Sequence, residues 1–220
     1  MTRPCAIGVL GSGPMGRGFA ILLSHAGYEV TLGTRRPQAP ELAELPPAVR
    51  ISSFPEAATG EVVFIAVAHA GARGLLTSLA PRLAGKTLIS SNNAWIPADY
   101  AAAGLSPSLT EGSWMAGFLP GSSVARAFSH IDQGYLVTKA ATEPGRWSVS
   151  YATDDIASAA TVEDLIRDMG YVPYLVGTLA ESAPLDYDGV LSHRLLTPQE
   201  MQAALNRSGR DCSPALHLPA

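Results

Sequence analysis

The spacing of apolar residues predicts that the chain begins with a βαβ unit. Ala6 to Leu10 form a short apolar run that stops at a glycine-rich turn, as a buried strand does. Between Met15 and Ala26 the apolar residues recur every three or four positions, which is the period of an amphipathic helix. A second strand-like run, Glu29 to Leu32, follows and ends at Gly33. The order strand, helix, strand is that of a βαβ unit.

The same alternation continues to Ser90 and predicts an α/β fold. It indicates strands at Val49–Ser52, Val62–Val67 and Lys86–Ser90, and helices at Glu56–Thr59 and Ala70–Leu83. Residues 62–67 are all apolar, which is typical of a parallel strand that is covered on both faces. Strands that alternate with helices in this way form a doubly wound, mostly parallel sheet of the Rossmann type.

Beyond Asn93 the pattern is less regular. Apolar segments return at Val124–Phe128, Tyr135–Lys139 and Trp147–Ala152, followed by a predicted helix at Thr161–Met169, a strand at Tyr171–Val176 and helical spacing at Thr197–Leu205. We therefore predict a sheet-forming domain over residues 1–178 and a small C-terminal helical segment over residues 179–220.

Composition and charge exclude several classes of protein. The 47% hydrophobic share with 15% charged residues predicts a globular chain, not a disordered one. With 15 Lys and Arg against 19 Asp and Glu, the chain lacks the basic surplus of a nucleic-acid binder. We find no signal peptide, and no apolar run approaches the roughly 20 residues that span a bilayer. Cys5 and Cys212 are too few for a disulfide framework or a cysteine zinc site, and no cluster of His, Asp and Glu has the spacing of metal ligands. We expect a cytoplasmic protein whose partner is a small molecule, with no metal, nucleic acid or membrane.

The turn after the first strand has the pattern of a dinucleotide site. Gly11-Ser12-Gly13-Pro14-Met15-Gly16 is a G-x-G-x-x-G sequence that follows a strand and opens a helix. Gly11 permits the tight turn, Gly13 lets the backbone approach a pyrophosphate, and Gly16 lets the helix pack closely on the strand. The free N–H groups at the helix start then meet the phosphate charge. The alternative is a turn that only requires positive φ at its glycines.

The end of the second strand indicates which dinucleotide binds. A site for NAD usually has Asp or Glu here to accept hydrogen bonds from the ribose hydroxyls. This chain has Gly33-Thr34-Arg35-Arg36, where a hydroxyl and two guanidinium groups suit a 2′-phosphate. The sequence therefore predicts NADP(H), the alternative being two arginines on a solvated loop.

These residues resemble the deazaflavin-dependent NADP oxidoreductases. Ile7 to Ala20 together with residues 33–36 resemble their NADP-binding half, and Val124 to Leu179, with Thr153-Asp154-Asp155 and Gly170-Tyr171, is similar to their second half. The glycine turn, with Met15 before Gly16, is equally similar to that of pyrroline-carboxylate and imine reductases.

The resemblance implies a set of cofactor contacts. Residues 12–15 would touch the pyrophosphate and residues 34–36 the 2′-phosphate, while the nicotinamide ribose would be lined by Ala66, Val67, Ala68, His69, Asn92 and Asn93. It also implies a deazaflavin, coenzyme F-420, as co-substrate. Residues 1–178 would then be the NADP-binding domain and residues 179–220 a substrate or dimer segment. By analogy with small Rossmann reductases we expect a homodimer.

Hydride transfer between two rings requires placement and the exclusion of water, but no nucleophile or metal. An imine or ketone acceptor would also require a proton donor. We predict His130, which follows the strand 124–128, as the catalytic residue; the alternative is a histidine bonded to backbone. His69 follows the fourth strand, where α/β sheets place ligands, so it either touches the cofactor or caps the next helix. Asp186-Tyr187-Asp188 could donate a proton, but beside Pro184 and Gly189 it is more typical of a turn.

Three functions follow from the sequence. The first is an NADPH-dependent oxidoreductase that exchanges a hydride with a deazaflavin-type or other small organic acceptor. The second is an NADPH-dependent imine or ketone reductase of a specialised-metabolite pathway. The third is a regulator that binds NADPH without catalysis, since no residue is an unambiguous acid or base.

Overall fold

A computed structural model describes residues 6–93 and 109–207 of the chain, and its centre is one twisted sheet. The strands are β1 (Ala6–Leu10), β2 (Glu29–Gly33), β3 (Arg50–Ser52), β4 (Val62–Ile65), β5 (Thr87–Ser90), β6 (Ser123–Ala127), β7 (Ser148–Thr153) and β8 (Val172–Gly177). Their order in the sheet is β3-β2-β1-β4-β5-β6-β7-β8. Neighbours are parallel except β6 and β7. The predicted doubly wound, mostly parallel Rossmann sheet is confirmed.

Helices connect the strands and cover both faces of the sheet. They are α1 (Pro14–His25), α2 (Phe54–Ala57), α3 (His69–Leu83), α4 (Glu111–Gly117), α5 (Gln133–Thr142), α6 (Ile156–Asp168) and α7 (Pro198–Arg207), with short 3₁₀ helices at Pro40–Leu42, Leu179–Glu181 and Ala183–Leu185. The apolar segment 135–139 lies in α5, which begins where the Asp132 side chain accepts a hydrogen bond from the backbone N–H of Gly134. Asp155 caps α6 in the same way, through the N–H of Ala157.

Two apolar cores lie on opposite faces of the sheet, which explains the continuous apolar run of β4. Val62 and Phe64 join one core, and Val63 and Ile65 join the other. In the first core the Phe64 ring packs on Phe19 of α1, with ring centroids 4.8 Å apart. The apolar run extends two residues beyond the strand, and Ala66 and Val67 leave the sheet to line the site described below.

A third apolar cluster holds the C-terminal segment against the last two strands. Leu185, Leu191 and Met201 are fully buried there against Ala152 of β7 and Tyr174 of β8. As far as residue 207, this part of the chain agrees with the small C-terminal helical segment predicted for residues 179–220; residues 208–220 lie outside the described residues. The division of the chain at residue 178 stays a prediction.

The sheet order places a crevice at the carboxyl ends of β1 and β4. β1 pairs with β2 on one side and with β4 on the other, so the connections after β1 and β4 leave in opposite directions. Ligands of open α/β sheets bind at such a point. Among the described helices, none combines the length and the hydropathy that crossing a bilayer requires.

Candidate functional site

Two connected cavities lie at the carboxyl edge of the sheet. We call the first, of about 350 Å³, the arginine lobe, because Arg17, Arg35 and Arg36 line it. We call the second, of about 370 Å³, the asparagine lobe, because Asn92 and Asn93 line it. The lobes meet over five shared residues: Gly13, Pro14, Ala66, Val67 and Ala68. Together they form a groove that passes the glycine turn.

The glycine turn has the geometry that the G-x-G-x-x-G pattern requires. Gly11 has φ +114°, which disfavours any residue with a side chain. A Cβ on Gly16 would lie 1.9 Å from the carbonyl oxygen of Gly11, so only glycine lets α1 approach β1 this closely. A Cβ on Gly13 would meet no protein atom within 4 Å. Gly13 is therefore not required by packing, and its bare backbone faces the space between the two lobes.

The N-terminus of α1 suits an anion at this point. Gly13 is its N-cap and supplies no capping side chain, and the first turn contains no acidic residue. The N-cap of the described helix thus offers no side-chain acceptor to the backbone N–H groups that follow Pro14, and the helix dipole adds partial positive charge. A pyrophosphate would satisfy both.

The arginine lobe brings together the residues predicted to bind a 2′-phosphate. Thr34 is buried, and its hydroxyl lies 2.7 Å from that of Ser12 and accepts a hydrogen bond from the N–H of Arg36. The Arg36 guanidinium lies 2.8 Å from Glu41, a carboxylate that the sequence did not place here. Arg35 is exposed on the wall of the lobe.

Arg17 is a third arginine of this lobe, and the sequence analysis missed it. It lies one helical turn after Gly13, and its guanidinium donates to the carbonyl of Ser12 at 3.0 Å. The signal was available, since a side chain in the first turn of a helix leans back toward the N-terminus.

The asparagine lobe contains a buried amide without a partner. Asn92 is 4% exposed, and neither its side-chain oxygen nor its side-chain nitrogen has a hydrogen-bond partner among the described residues. Such a group is costly unless a ligand completes it. It offers one acceptor and two donors, which matches a carboxamide or a ribose hydroxyl. Asn93 is fixed instead: its amide donates to the carbonyl of Ser129 at 2.6 Å and accepts from Arg126 at 2.6 Å.

Behind this lobe lies a buried cluster of charged side chains, which we call the charge cluster: His69, Glu111, Arg126 and Asp186. His69 Nδ1 lies 2.9 Å from Glu111 Oε1, and the Arg126 guanidinium lies 3.7 Å from Glu111 and 3.1 Å from Asp186. Arg126 also donates to the carbonyl of Asn92 at 2.6 Å. Burial raises the pKa of Asp186 to about 6, although Arg126 opposes the shift. The triplet 186–188, for which the sequence favoured a plain turn, thus contributes a buried acid.

His130, the predicted catalytic residue, lies inside the protein. It is 1% exposed, and its Nε2 accepts a hydrogen bond from the N–H of Ser150 on β7 at 3.4 Å. Among the described residues, its neighbours Ser129 and Ile131 line the asparagine lobe, whereas His130 does not. Burial lowers the pKa of His130 to about 4, assisted by the charge of Arg126 and opposed by a hydrogen bond to the backbone of Ser148. His130 is therefore a buried, neutral histidine that is bonded to backbone. Its catalytic role stays a prediction.

His193 stands on the wall of the asparagine lobe, and the sequence analysis did not single it out. Its backbone is left-handed, with φ 54°, and its ring packs edge-on against Tyr187. It follows an irregular segment, so no periodicity could have placed it.

Comparison with known proteins agrees with this geometry. Residues 6–94 match the family model described as NADP oxidoreductase, coenzyme F420-dependent. The resemblance expected from the sequence is confirmed. The predicted enzyme class, an NADP-dependent oxidoreductase, is the class that this family and the Arthrobacter neighbour described below support.

Two of the solved structures that are similar to this chain are reductases, and each covers about four-fifths of it. A candidate F420-dependent NADP-reductase from Arthrobacter sp. FB24 superposes with a TM-score of 0.66 at 26% identity, covering 80% of this chain and 86% of that one. An imine reductase from Streptomyces aurantiacus superposes with a TM-score of 0.53 at 20% identity, covering 80% of this chain and 56% of that one. At 20% identity, the imine reductase shows only that the fold is shared.

The curated relatives are longer proteins. Metalloreductase STEAP3 of Rattus norvegicus is 31% identical over 182 residues, which cover 82% of this chain and 35% of that protein. The chain spans about a third of the length of the curated relatives it matches. Among the described residues, no group of three His, Cys, Asp or Glu side chains is placed to hold a metal ion.

Proposed function

We propose that the chain binds NADPH along the groove and reduces a small organic acceptor in the asparagine lobe by hydride transfer. One observation carries the proposal: a bare glycine turn joins a lobe lined by three arginines to a lobe with an unpartnered buried amide. The first lobe suits a phosphorylated ribose, the turn suits a pyrophosphate, and the second lobe suits a carboxamide. The dihydronicotinamide, when bound, supplies the hydride.

The residues of the chain hold and orient the nucleotide. The arginine lobe selects NADPH over NADH. Arg35, Arg36 and Arg17 would pair with a 2′-phosphate, and the Thr34 hydroxyl would donate to it. Glu41 moderates this selection, because its carboxylate already pairs with Arg36 and would repel a phosphate. Arg35, which stands on the lobe wall, is then the guanidinium with most effect on the choice between NADPH and NADH.

We propose a deazaflavin, coenzyme F-420, as the acceptor. The support is the description of the matched family and the activity named for the Arthrobacter neighbour. An imine is the second candidate, and the observation that favours it is a buried imidazole in the charge cluster on the edge of the asparagine lobe. A homodimer and a cytoplasmic location remain part of the proposal.

Arg35→Ala tests the cofactor assignment. We expect the Kd for NADPH to rise about 10- to 100-fold, as the loss of charged hydrogen bonds does, with little change for NADH. Calorimetric titration with both nucleotides measures this. Arg50→Ala is the matched control, because Arg50 is an exposed arginine of β3 paired with Glu56 outside both lobes. Equal losses for NADPH and NADH would contradict the assignment.

The acceptor is tested by following NADPH oxidation with three probes: coenzyme F-420, a cyclic imine and a ferric chelate. Reduction of F-420 at the highest kcat/KM is the expected result. Preference for the imine would establish the second candidate, and preference for the ferric chelate would extend to this chain the activity named for its longer relatives. Tight NADPH binding without oxidation by any probe would instead favour a regulator.

A further inference from the structure

Two residues that line the asparagine lobe belong to a closed ring of hydrogen bonds, which we call the hydrogen-bond ring. Its members are Asn93, Arg126, Ser129 and Leu185. Arg126 Nη2 donates to Asn93 Oδ1 at 2.6 Å and to the carbonyl of Leu185 at 3.1 Å. The Asn93 amide donates to the carbonyl of Ser129 at 2.6 Å, and the Ser129 hydroxyl closes the ring by donating to the same Leu185 carbonyl at 3.0 Å. The ring therefore ties the connections after β5 and β6 to the C-terminal segment.

The same guanidinium fixes Asn92 next to the hydrogen-bond ring. Arg126 Nη1 donates to the carbonyl of Asn92 at 2.6 Å, so the backbone of Asn92 is held while its side-chain amide has no partner among the described residues. A group that is already held costs a ligand less to order. Arg126 is fully buried and is not among the described residues that line either lobe. It therefore acts on a ligand in the groove through the residues that it holds.

The backbone beside the hydrogen-bond ring has a conformation that other contacts must maintain. Phe128 has φ 65°, and a left-handed backbone is unfavourable for a bulky residue. Within the described ranges, the one other non-glycine residue with positive φ is His193, and both line the asparagine lobe. Unfavourable backbone of this kind is concentrated at ligand sites, where the surrounding structure maintains it. Ser129 follows Phe128 directly and contributes both a carbonyl and a hydroxyl to the ring, so the ring is one of the contacts that maintain this turn.

Nucleotide affinity and nicotinamide orientation are assigned to different parts of the groove. The arginine lobe and the glycine turn would hold the phosphates, whereas the hydrogen-bond ring borders the lobe proposed for the nicotinamide. Hydride transfer requires the two reacting carbons near contact distance, and a displacement of about 1 Å costs about 100-fold in rate. A loss of order at the nicotinamide end would therefore lower the rate of reduction more than the affinity for NADPH.

We propose that Arg126 is a positioning residue, which together with the hydrogen-bond ring holds Asn92 where its amide orients the nicotinamide for hydride transfer. The proposal rests on the proposed function and deepens it. Asn93, for which the sequence predicted a cofactor contact, becomes a positioning residue as well, because both ends of its amide are already engaged. The ring then determines kcat and contributes little to the Kd for NADPH.

Two variants open the hydrogen-bond ring. Arg126→Lys retains the positive charge of the charge cluster and loses the planar pair of donors. Ser129→Ala removes one bond of the ring and leaves the guanidinium in place. Ser122→Ala is the matched control, because Ser122 is also half-buried and its hydroxyl donates to a backbone carbonyl, that of Leu83, at 2.9 Å, outside the described lining of both lobes.

The first test needs no acceptor and follows the fluorescence of bound NADPH by time-resolved anisotropy. In the unaltered protein and in Ser122→Ala, the anisotropy should decay only with the tumbling of the whole protein. Arg126→Lys and Ser129→Ala should add a fast decay from local motion of the nicotinamide. The Kd for adenosine 2′,5′-bisphosphate, which lacks the nicotinamide, should change by less than about threefold in both. A fast decay in the unaltered protein, or its absence from both variants, would overturn the proposal; Ser129→Ala decides if Arg126→Lys does not fold.

The second test is a single turnover, with protein in excess over NADPH and with saturating coenzyme F-420. The rate constant of NADPH oxidation should fall about 10- to 100-fold in Arg126→Lys and less in Ser129→Ala, without change in Ser122→Ala. A merely structural role would reduce the amplitude, because less protein is folded, and leave the rate constant unchanged, which would count against the proposal. If NADPH does not bind, the proposed function fails as well. If NADPH binds and both variants behave like Ser122→Ala, this inference alone fails, and the anisotropy decides between these outcomes if F-420 is not reduced.

Discussion

Acid should weaken the folded state through His130, and the size of the effect follows from its burial. The imidazole is neutral in the folded protein, with a pKa lowered from 6.5 to about 4. In the unfolded chain it takes up a proton below pH 6.5. Between pH 6.5 and about 4, the unfolded state therefore binds one more proton than the folded state. The free energy of unfolding decreases as the pH is lowered across this window. At 1.36 kcal/mol per pH unit, the loss is about 3 kcal/mol.

The substitution His130→Asn removes the titrating imidazole, so comparison with the unaltered protein isolates its contribution to the free energy of unfolding. We expect the free energy of unfolding of the unaltered protein, minus that of the variant, to fall by about 3 kcal/mol from pH 7 to pH 4. Urea unfolding followed by tryptophan fluorescence over this range measures it. His25→Asn, at an exposed histidine of α1, is the matched control and should give a constant difference. A constant difference for His130→Asn as well would refute the burial argument, and a loss of turnover without this stability signature would return His130 to catalysis.

Two further predictions concern the glycine turn and Asp186. Gly13→Ala should fold normally, because its Cβ meets no atom within 4 Å, yet weaken NADPH binding about tenfold or more by filling the phosphate space. Gly16→Ala should instead destabilise the fold by about 2 kcal/mol or more, since its Cβ would lie 1.9 Å from the Gly11 oxygen; thermal melting and calorimetry separate the two, and equal behaviour would contradict the assigned roles. Asp186 has its pKa raised from 3.8 to about 6, so its stabilising contribution is present below pH 4 and is lost as pH rises through 6. Asp186→Asn should remove a decline of about 3 kcal/mol between pH 4 and 7 in urea unfolding, and an unchanged decline would count against the buried carboxyl.

The sequence predicted best where one local pattern determines the structure. The β1–α1–β2 unit and its glycine turn could be placed because strand period, helix period and the G-x-G-x-x-G spacing agree within a few residues. The end of β4 was harder, since the apolar run continues through Ala66 and Val67 after the ladder stops. Apolar character alone does not distinguish a strand from the wall of a cavity.

The charge cluster could not be predicted, because its members come from four separate parts of the chain. Glu111 opens a short helix, Arg126 lies within a strand, and each is typical of an exposed residue when taken alone. Their burial depends on tertiary contacts that no spacing encodes. The burial of His130 could not be predicted for a simpler reason. In the short connection after β6, adjacent residues alternate between the cavity wall and the interior, and it is Ser129 and Ile131 that line the cavity.

The guanidinium of Arg126 has a consequence for dissecting this protein. The family match ends at residue 94, yet the carbonyl of Asn92 and the amide of Asn93 are both bonded to an arginine more than thirty positions further on. A fragment cut at the end of the match would retain the glycine turn and lose the arginine that holds Asn92 and Asn93. The proposed nucleotide site is thus not an independent unit, because the end assigned to the nicotinamide depends on a strand from the second half of the sheet.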